Sequence, residues 1–173
     1  MKRIIALALA AMMSAAVIAG CSGSAESKSD AGSSASSAAS SEASKVDLNT
    51  VLDKINTEND LSLDKIDDVK KLKRYYGINE ADVKQFAGET DKSDPNAPIE
   101  IVLIEGKDAA AAGRIESALN TRYGSVLNTY TSYSPDKVDM VKACKVTKDG
   151  NFVSMIIADN APTMVKTFQD SIK

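Results

Sequence analysis

The segment that begins at residue 46 starts with apolar side chains at helical spacing. Asp47 is a predicted N-cap, and the apolar residues after it lie three or four positions apart, as on one face of a helix. A second helix is predicted over 65–76, with Asp64 as its N-cap and Gly77 at its end. The folded part of the chain is therefore predicted to begin with two helices.

Four segments with strand character follow, in two pairs. The first pair is predicted over 83–87 and 99–104, and the second over 141–147 and 151–158. Lys148-Asp149-Gly150 joins the second pair and is a typical hairpin turn.

Between the two pairs lies the longest helical pattern. It is predicted over 109–130, with Asp108 as N-cap and apolar residues on one stripe. Gly124 falls inside it and either kinks the helix or ends it. The Ser-Pro pair at 134–135 predicts a short further turn, and Asn160 is the predicted N-cap of a final helix.

The predicted order is α-α-β-β-α-β-β-α, which favours a single-domain α+β fold. We expect a four-stranded antiparallel sheet made of two hairpins. The long central helix and the flanking N- and C-terminal helices are predicted to pack on that sheet.

The N-terminus carries a different pattern. Two basic residues precede an almost wholly apolar run over 4–18, the layout of a secretory signal, which is too short for a comfortable transmembrane helix. Ile18-Ala19-Gly20-Cys21 resembles the bacterial lipobox. That resemblance implies removal of a signal peptide over 1–20 and attachment of diacylglycerol to Cys21. The alternative is a plain signal peptide with a coincidental cysteine.

Residues 21–45 join this N-terminus to the domain over 46–173. Nearly half of them are serine and none has a large apolar side chain, so we expect a disordered tether. Two acyl chains on Cys21 would hold a protein stably on a membrane, whereas a single acyl chain binds a membrane only reversibly. The predicted location is thus the extracytoplasmic face of the cell membrane, with the membrane as a partner through that lipid.

Composition excludes several classes of chemistry. The chain has 21 Lys and Arg against 24 Asp and Glu, and because this balance is mildly acidic, no nucleic-acid partner is predicted. It has no histidine, which removes the usual Ser-His-Asp and Cys-His catalysis and most zinc sites. Gly-x-Ser-x-Gly and phosphate-binding glycine loops are also missing. No catalytic residue, metal site or cofactor is predicted.

Cys144 and an acidic loop are weaker signals, and each has two interpretations. Cys144 is predicted mid-strand as a small buried hydrophobe, because a nucleophile would need a base. A loop with acids and amides (Asp91, Asp94, Asn96, Glu100) suggests a calcium loop, but it lacks the required glycine and has two prolines, so a solvated loop is expected.

Tyr130, Tyr133 and Arg122 are a candidate binding surface, since tyrosine offers contact area at low entropic cost. The alternative is that Tyr130 ends the core stripe, that Tyr133 packs beneath the loop, and that Arg122 makes a structural ion pair.

Short motifs spread through the domain resemble one family. They are Tyr76-Gly77-Ile78-Asn79, Glu100-Ile101-Val102-Leu103 leading into Lys107-Asp108, Arg122, Tyr133 with Pro135, and Gly150-Asn151-Phe152-Val153. They are similar to the domain of unknown function 4358, found on secreted lipoproteins of Gram-positive-type bacteria, and the resemblance covers about 46–173. Phe152 stands where the family often has tyrosine. The family has no assigned activity, so the resemblance implies no catalytic residues.

The predicted function is a membrane-anchored lipoprotein with a non-enzymatic binding or interaction domain for an envelope protein or small ligand. The alternative is a carboxylate-dependent hydrolase acting on a cell-envelope polymer. A solute receptor is disfavoured, because such receptors usually close two lobes and this domain makes one.

Overall fold

A five-stranded antiparallel sheet with helices on both faces forms the centre of the computed structural model, which describes residues 45–91, 93 and 99–173. The elements are α1 (Leu48–Asn59), β1 (Asp64–Lys65), α2 (Val69–Tyr76), β2 (Val83–Thr90), β3 (Glu100–Gly106), α3 (Ala109–Tyr133), α4 (Val138–Ala143), β4 (Lys145–Asp149), β5 (Phe152–Ile157) and α5 (Ala161–Ser171). The predicted signal peptide, Cys21 and the tether as far as residue 44 lie outside the described residues. The α+β class is confirmed.

The sheet order is β1-β2-β3-β5-β4, and every neighbouring pair is antiparallel. The two predicted hairpins, β2-β3 and β4-β5, are both present and join through β3 and β5. The prediction of four strands was wrong by one. The extra strand, β1, pairs with the end of β2. Because β1 has only two residues, it is too short to leave a periodic signal in the sequence.

Helices cover the two faces of the sheet unequally. α3 packs on β3, β4 and β5 and also contacts α2 and α4, whereas α1 and α5 contact each other and the opposite face. Buried aliphatic side chains of β3 and β5 form the centre of the core between these layers. Among the described residues, no helix is both long and apolar enough to cross a bilayer.

Two of the predicted helix N-caps are confirmed. The Asp47 carboxylate accepts a hydrogen bond from the backbone nitrogen of Asn49 at 2.8 Å, and Asp108 accepts one from that of Ala111 at 2.7 Å. Asn160 precedes α5, but its side chain makes no capping hydrogen bond.

Two predicted boundaries were wrong. The second helix begins at Val69 with Asp68 as its N-cap, because 64–65 pairs as β1 instead. The segment 141–147 is not one strand: α4 ends at Ala143 and β4 begins at Lys145. α4 packs against α3, where the Tyr123 hydroxyl donates a hydrogen bond to the Val141 carbonyl at 2.9 Å.

The long helix runs three residues further than predicted, to Tyr133, and Gly124 neither ends it nor marks its last turn. The predicted short turn after Ser134 is present as a 3-10 turn over Pro135–Lys137. Gly150, at the tip of the β4-β5 hairpin, has a φ of 56°, a conformation that glycine adopts without strain.

Candidate functional site

Three buried glutamates on the β2-β3 hairpin are the main concentration of buried charge among the described residues. Glu89, Glu100 and Glu105 are 1%, 2% and 4% exposed. A buried carboxylate is costly unless it is paired or hydrogen-bonded, so the partners of each one show what it does.

Glu100 forms a cluster with Arg122 and Tyr76, which we call the Glu100 cluster. Arg122, in the middle of α3, donates from Nε to Oε2 of Glu100 at 3.1 Å and from Nη2 to Oε1. Tyr76, the last residue of α2, hydrogen-bonds the same carboxylate. Arg122 thus makes the ion pair given above as the alternative interpretation, and three elements meet at one carboxylate.

The electrostatics of the Glu100 cluster favour the ion pair. The hydrogen bond from Arg122 to Glu100 raises the pKa of Arg122, against the opposing effect of desolvation. Burial raises the pKa of Tyr76 far above its ordinary value, and the negative charge of Glu100 adds to that shift. The tyrosine therefore stays a neutral hydrogen-bond donor over the whole physiological range.

Glu105 has its own partners at the other end of β3. Lys84 Nζ lies 2.9 Å from Oε1 of Glu105, and Gln85 Nε2 donates to Oε2 at 2.6 Å. Gln85 also donates to the Val46 carbonyl at 2.7 Å and accepts from the Leu48 backbone nitrogen at 3.1 Å. This network fastens the start of α1 to the sheet.

Glu89 faces α1, where Asn56 Nδ2 donates a hydrogen bond to its Oε2 at 2.8 Å. The Asn56 Oδ1 atom is buried and has no hydrogen-bond partner among the described residues. Sequence reasoning singled out neither residue, because a lone acid in a strand and a lone amide in a helix have no distinguishing pattern.

The buried acids do not face one another across a cleft. Glu89 is the register partner of Ile101, so it shares a face with Ile101, while Glu100, the next residue along β3, points to the other face. Glu105 lies four residues beyond Ile101, a separation of roughly 13 Å along the strand. A glycosidase pair needs carboxyl groups about 5–10 Å apart on either side of a substrate, and these three do not form one.

The candidate calcium loop is only partly within the described residues, since Asp94 and Asn96 lie outside them. Asp91 accepts a hydrogen bond from the backbone nitrogen of Ser93 at 2.7 Å, and hydrogen bonds from Ser93 lower its pKa. Glu100 is directed to Arg122 instead. Across the residues described, no group of three or more potential metal-ligating side chains is found.

Cys144 is buried, but it was wrongly predicted as mid-strand. It follows the last residue of α4, is 2% exposed, and its Sγ lies 3.4 Å from the Met140 carbonyl oxygen. Burial raises the pKa of Cys144, the charge of Asp159 adds to this, and a hydrogen bond to Ala158 partly opposes it. The thiol is therefore held in its protonated, unreactive form.

The three residues of the predicted binding surface have different environments. Tyr130 is 1% exposed and belongs to the core, as the alternative interpretation expected, while Arg122 is engaged with Glu100. Tyr133 is 71% exposed and does not pack beneath the loop. Sequence analysis missed Tyr75, which is 43% exposed and lies under the Arg74 guanidinium at 5.7 Å from the ring centroid.

The folded domain matches one known protein family. The model of a family described as domain of unknown function (DUF4358) matches residues 56–158, more than half of the chain. The chain belongs to this family. The matched part of the DUF4358 domain runs from α1 to the end of β5 and contains all three members of the Glu100 cluster. Neither the curated proteins nor the solved structures that were compared include a significant match.

Proposed function

We propose that the chain is a lipoprotein anchored to the extracytoplasmic face of the cell membrane by diacylglycerol on Cys21. The lipobox-like sequence over 18–21 supports the anchor, and the serine-rich segment after it supports a spacer. The folded domain would then stand outside the cell on a tether.

We further propose that the domain binds an envelope protein or a small ligand and catalyses no reaction. The observation that carries this proposal is that Glu100, 2% exposed, is closed off by Arg122 and Tyr76. A general acid or nucleophile must instead be within reach of a substrate atom. The other two buried glutamates also have internal partners, and the Cys144 thiol is buried.

The exposed Tyr133 supports a contact role at the end of α3. A large aromatic side chain that is 71% exposed gains contact area in a complex at little cost in conformational entropy. No observation on the described residues favours the hydrolase, because their buried acids lie on opposite faces or far apart.

The anchor is tested by metabolic labelling with a fatty acid and by the intact mass of membrane-extracted protein. We expect label and a diacylglycerol mass on the parent chain, and loss of both in Cys21→Ser. Cys144→Ser is the matched control and should keep the label. An unmodified Cys21, or a retained leader, contradicts the anchor.

The binding role is tested with the purified domain and with intact cells. We expect no turnover of cell-wall or glycan substrates, and we expect cell-surface crosslinking to a partner that weakens in Tyr133→Ala more than in Tyr75→Ala. Turnover that is lost in Glu89→Gln or Glu100→Gln variants that remain folded would instead establish the hydrolase.

A further inference from the structure

β4 is the longer of the two edge strands of the sheet. It has five residues and pairs only with β5 among the described residues, whereas the opposite edge strand, β1, has two. A free strand edge presents backbone N–H and C=O groups that a further strand can pair with. β4 is therefore the edge at which the sheet is open to extension.

Charges along β4 are arranged with opposite signs at its two ends. Lys145 and Asp149 are four residues apart, so they lie on the same face of the sheet, and both are exposed. Neither takes part in an ion pair within the described part of the chain. Lys148 points to the other face, where its Nζ lies 3.9 Å from Glu116 on α3.

We propose that the protein forms a homodimer in which β4 pairs antiparallel with β4 of a second copy, about a two-fold axis at Thr147. In this register Lys145 lies directly opposite Asp149 of the partner subunit, and the same pair recurs across the axis. Opposite charges at directly opposed positions stabilise strand pairing. A shift of the register by two residues in either direction loses both ion pairs, so the charges select this alignment.

The surroundings of Lys145 also favour an incoming carboxylate. A groove of about 260 Å³ lies on this face between β4 and α5, lined by Ala143, Lys145, Thr147, Ala161, Pro162 and Val165. The first turn of α5 borders it, and the partial positive charge of a helix N-terminus adds to that of Lys145. Asp149 of the partner subunit would bring its carboxylate to the mouth of this groove.

The axis position makes the dimer testable by a disulfide in the full-length chain in its native membrane. Cα atoms of directly opposed residues lie about 4.5–5.5 Å apart, within the range of a disulfide. Mild oxidation of Thr147→Cys should therefore give a covalent dimer on a non-reducing gel. Thr57→Cys, at an exposed position on α1, is the matched control and should stay monomeric, as should the parent chain.

Charge reversal then tests the register. In the Thr147→Cys background, Lys145→Asp and Asp149→Lys should each reduce the crosslinked fraction roughly tenfold, because each replaces two attractions by two repulsions. The two variants are then given different tags and expressed together. In the mixed dimer, a positive charge again lies opposite a negative charge at both pairs of positions. The mixed dimer should return to the level of Thr147→Cys alone, which also shows that both variants are folded.

Two outcomes overturn the proposal. If Thr147→Cys crosslinks no more than Thr57→Cys, β4 does not pair with itself, and its lysines act to keep the edge free of other strands. If crosslinking occurs but neither charge reversal changes it, the two copies meet near Thr147 through a contact other than the proposed β4 pairing.

Discussion

Replacing Arg122 with methionine should destabilise the domain by leaving a carboxylate buried without its cation. Methionine keeps much of the apolar stem that arginine packs against its neighbours, so the change removes mainly the charge. Glu100 is 2% exposed and, among the described residues, would then keep the hydrogen bond from Tyr76 but lose the cation beside it. The perturbation is thus confined to the Glu100 cluster.

The expected loss of unfolding free energy depends on how deeply Glu100 and Arg122 are buried. Removing one member of a fully buried pair costs about 3–5 kcal/mol, while exposed pairs contribute about 0–1 kcal/mol. The Glu100 side chain is 2% exposed but that of Arg122 is 34% exposed, so water can partly replace the guanidinium. We therefore expect a loss of about 2–3 kcal/mol, or roughly 10 °C in melting temperature for a domain of this size.

The assay is urea and thermal unfolding of the soluble domain, followed by circular dichroism. Arg114→Met is the matched control: it breaks a two-hydrogen-bond ion pair with Asp82 in which the arginine side chain is 58% exposed, and should cost much less. Combining Arg122→Met with Glu100→Gln should recover part of the loss, since the buried charge is then gone.

The control and the double variant together show whether the buried charge of Glu100 causes the loss. The reasoning is refuted if Arg122→Met and Arg114→Met are equally stable at neutral pH, or if the double variant is less stable than Arg122→Met alone.

Three other predictions follow from individual contacts. Gly106→Ala should cost about 1–3 kcal/mol in urea unfolding, because its Cβ would lie 2.7 Å from a backbone nitrogen of α3. Gly124→Ala has open space around it and should instead stabilise the helix by up to about 1 kcal/mol. If Gly106→Ala were the more stable of the two variants, both predictions would be contradicted. The Cys144 thiol should react with Ellman's reagent only in urea, as burial raises its pKa; fast labelling of the native domain would mean that it is accessible. The hydrogen bond from Arg114 lowers the pKa of Asp82, so the contribution of this pair to stability is present above about pH 4 and is lost as the pH falls through the lowered value. Asp82→Asn should therefore be less stable than the parent at pH 7, with a deficit that shrinks as the pH falls below about 4, and a deficit that does not shrink would refute the assignment.

The elements that could be predicted are those whose cause is local. Asp47 and Asp108 cap their helices through backbone groups two or three residues away, and the β4-β5 hairpin follows from its turn residues. The family could be identified from short motifs for the same reason. These features depend on neighbours along the chain, so they are visible in the sequence.

The errors arose where a distant contact decided between two local options. The apolar residues over 138–147 fit either a helix or a strand, and packing of α4 under α3 made the first half helical. The pair at 64–65 became a strand only because the end of β2 lies beside it. Secondary-structure preference is weak beside such packing.

The sequence by itself determined the α+β class, the two hairpins and the absence of histidine chemistry, since each depends on residue type and spacing. The tertiary structure decided what the acids do. Glu100 looked like the end of an acidic loop, yet it is bound by an arginine 22 residues away on α3. Only the packing of α2 and α3 on one face of β3 brings the three side chains together, and a charge buried there is stable only because they meet.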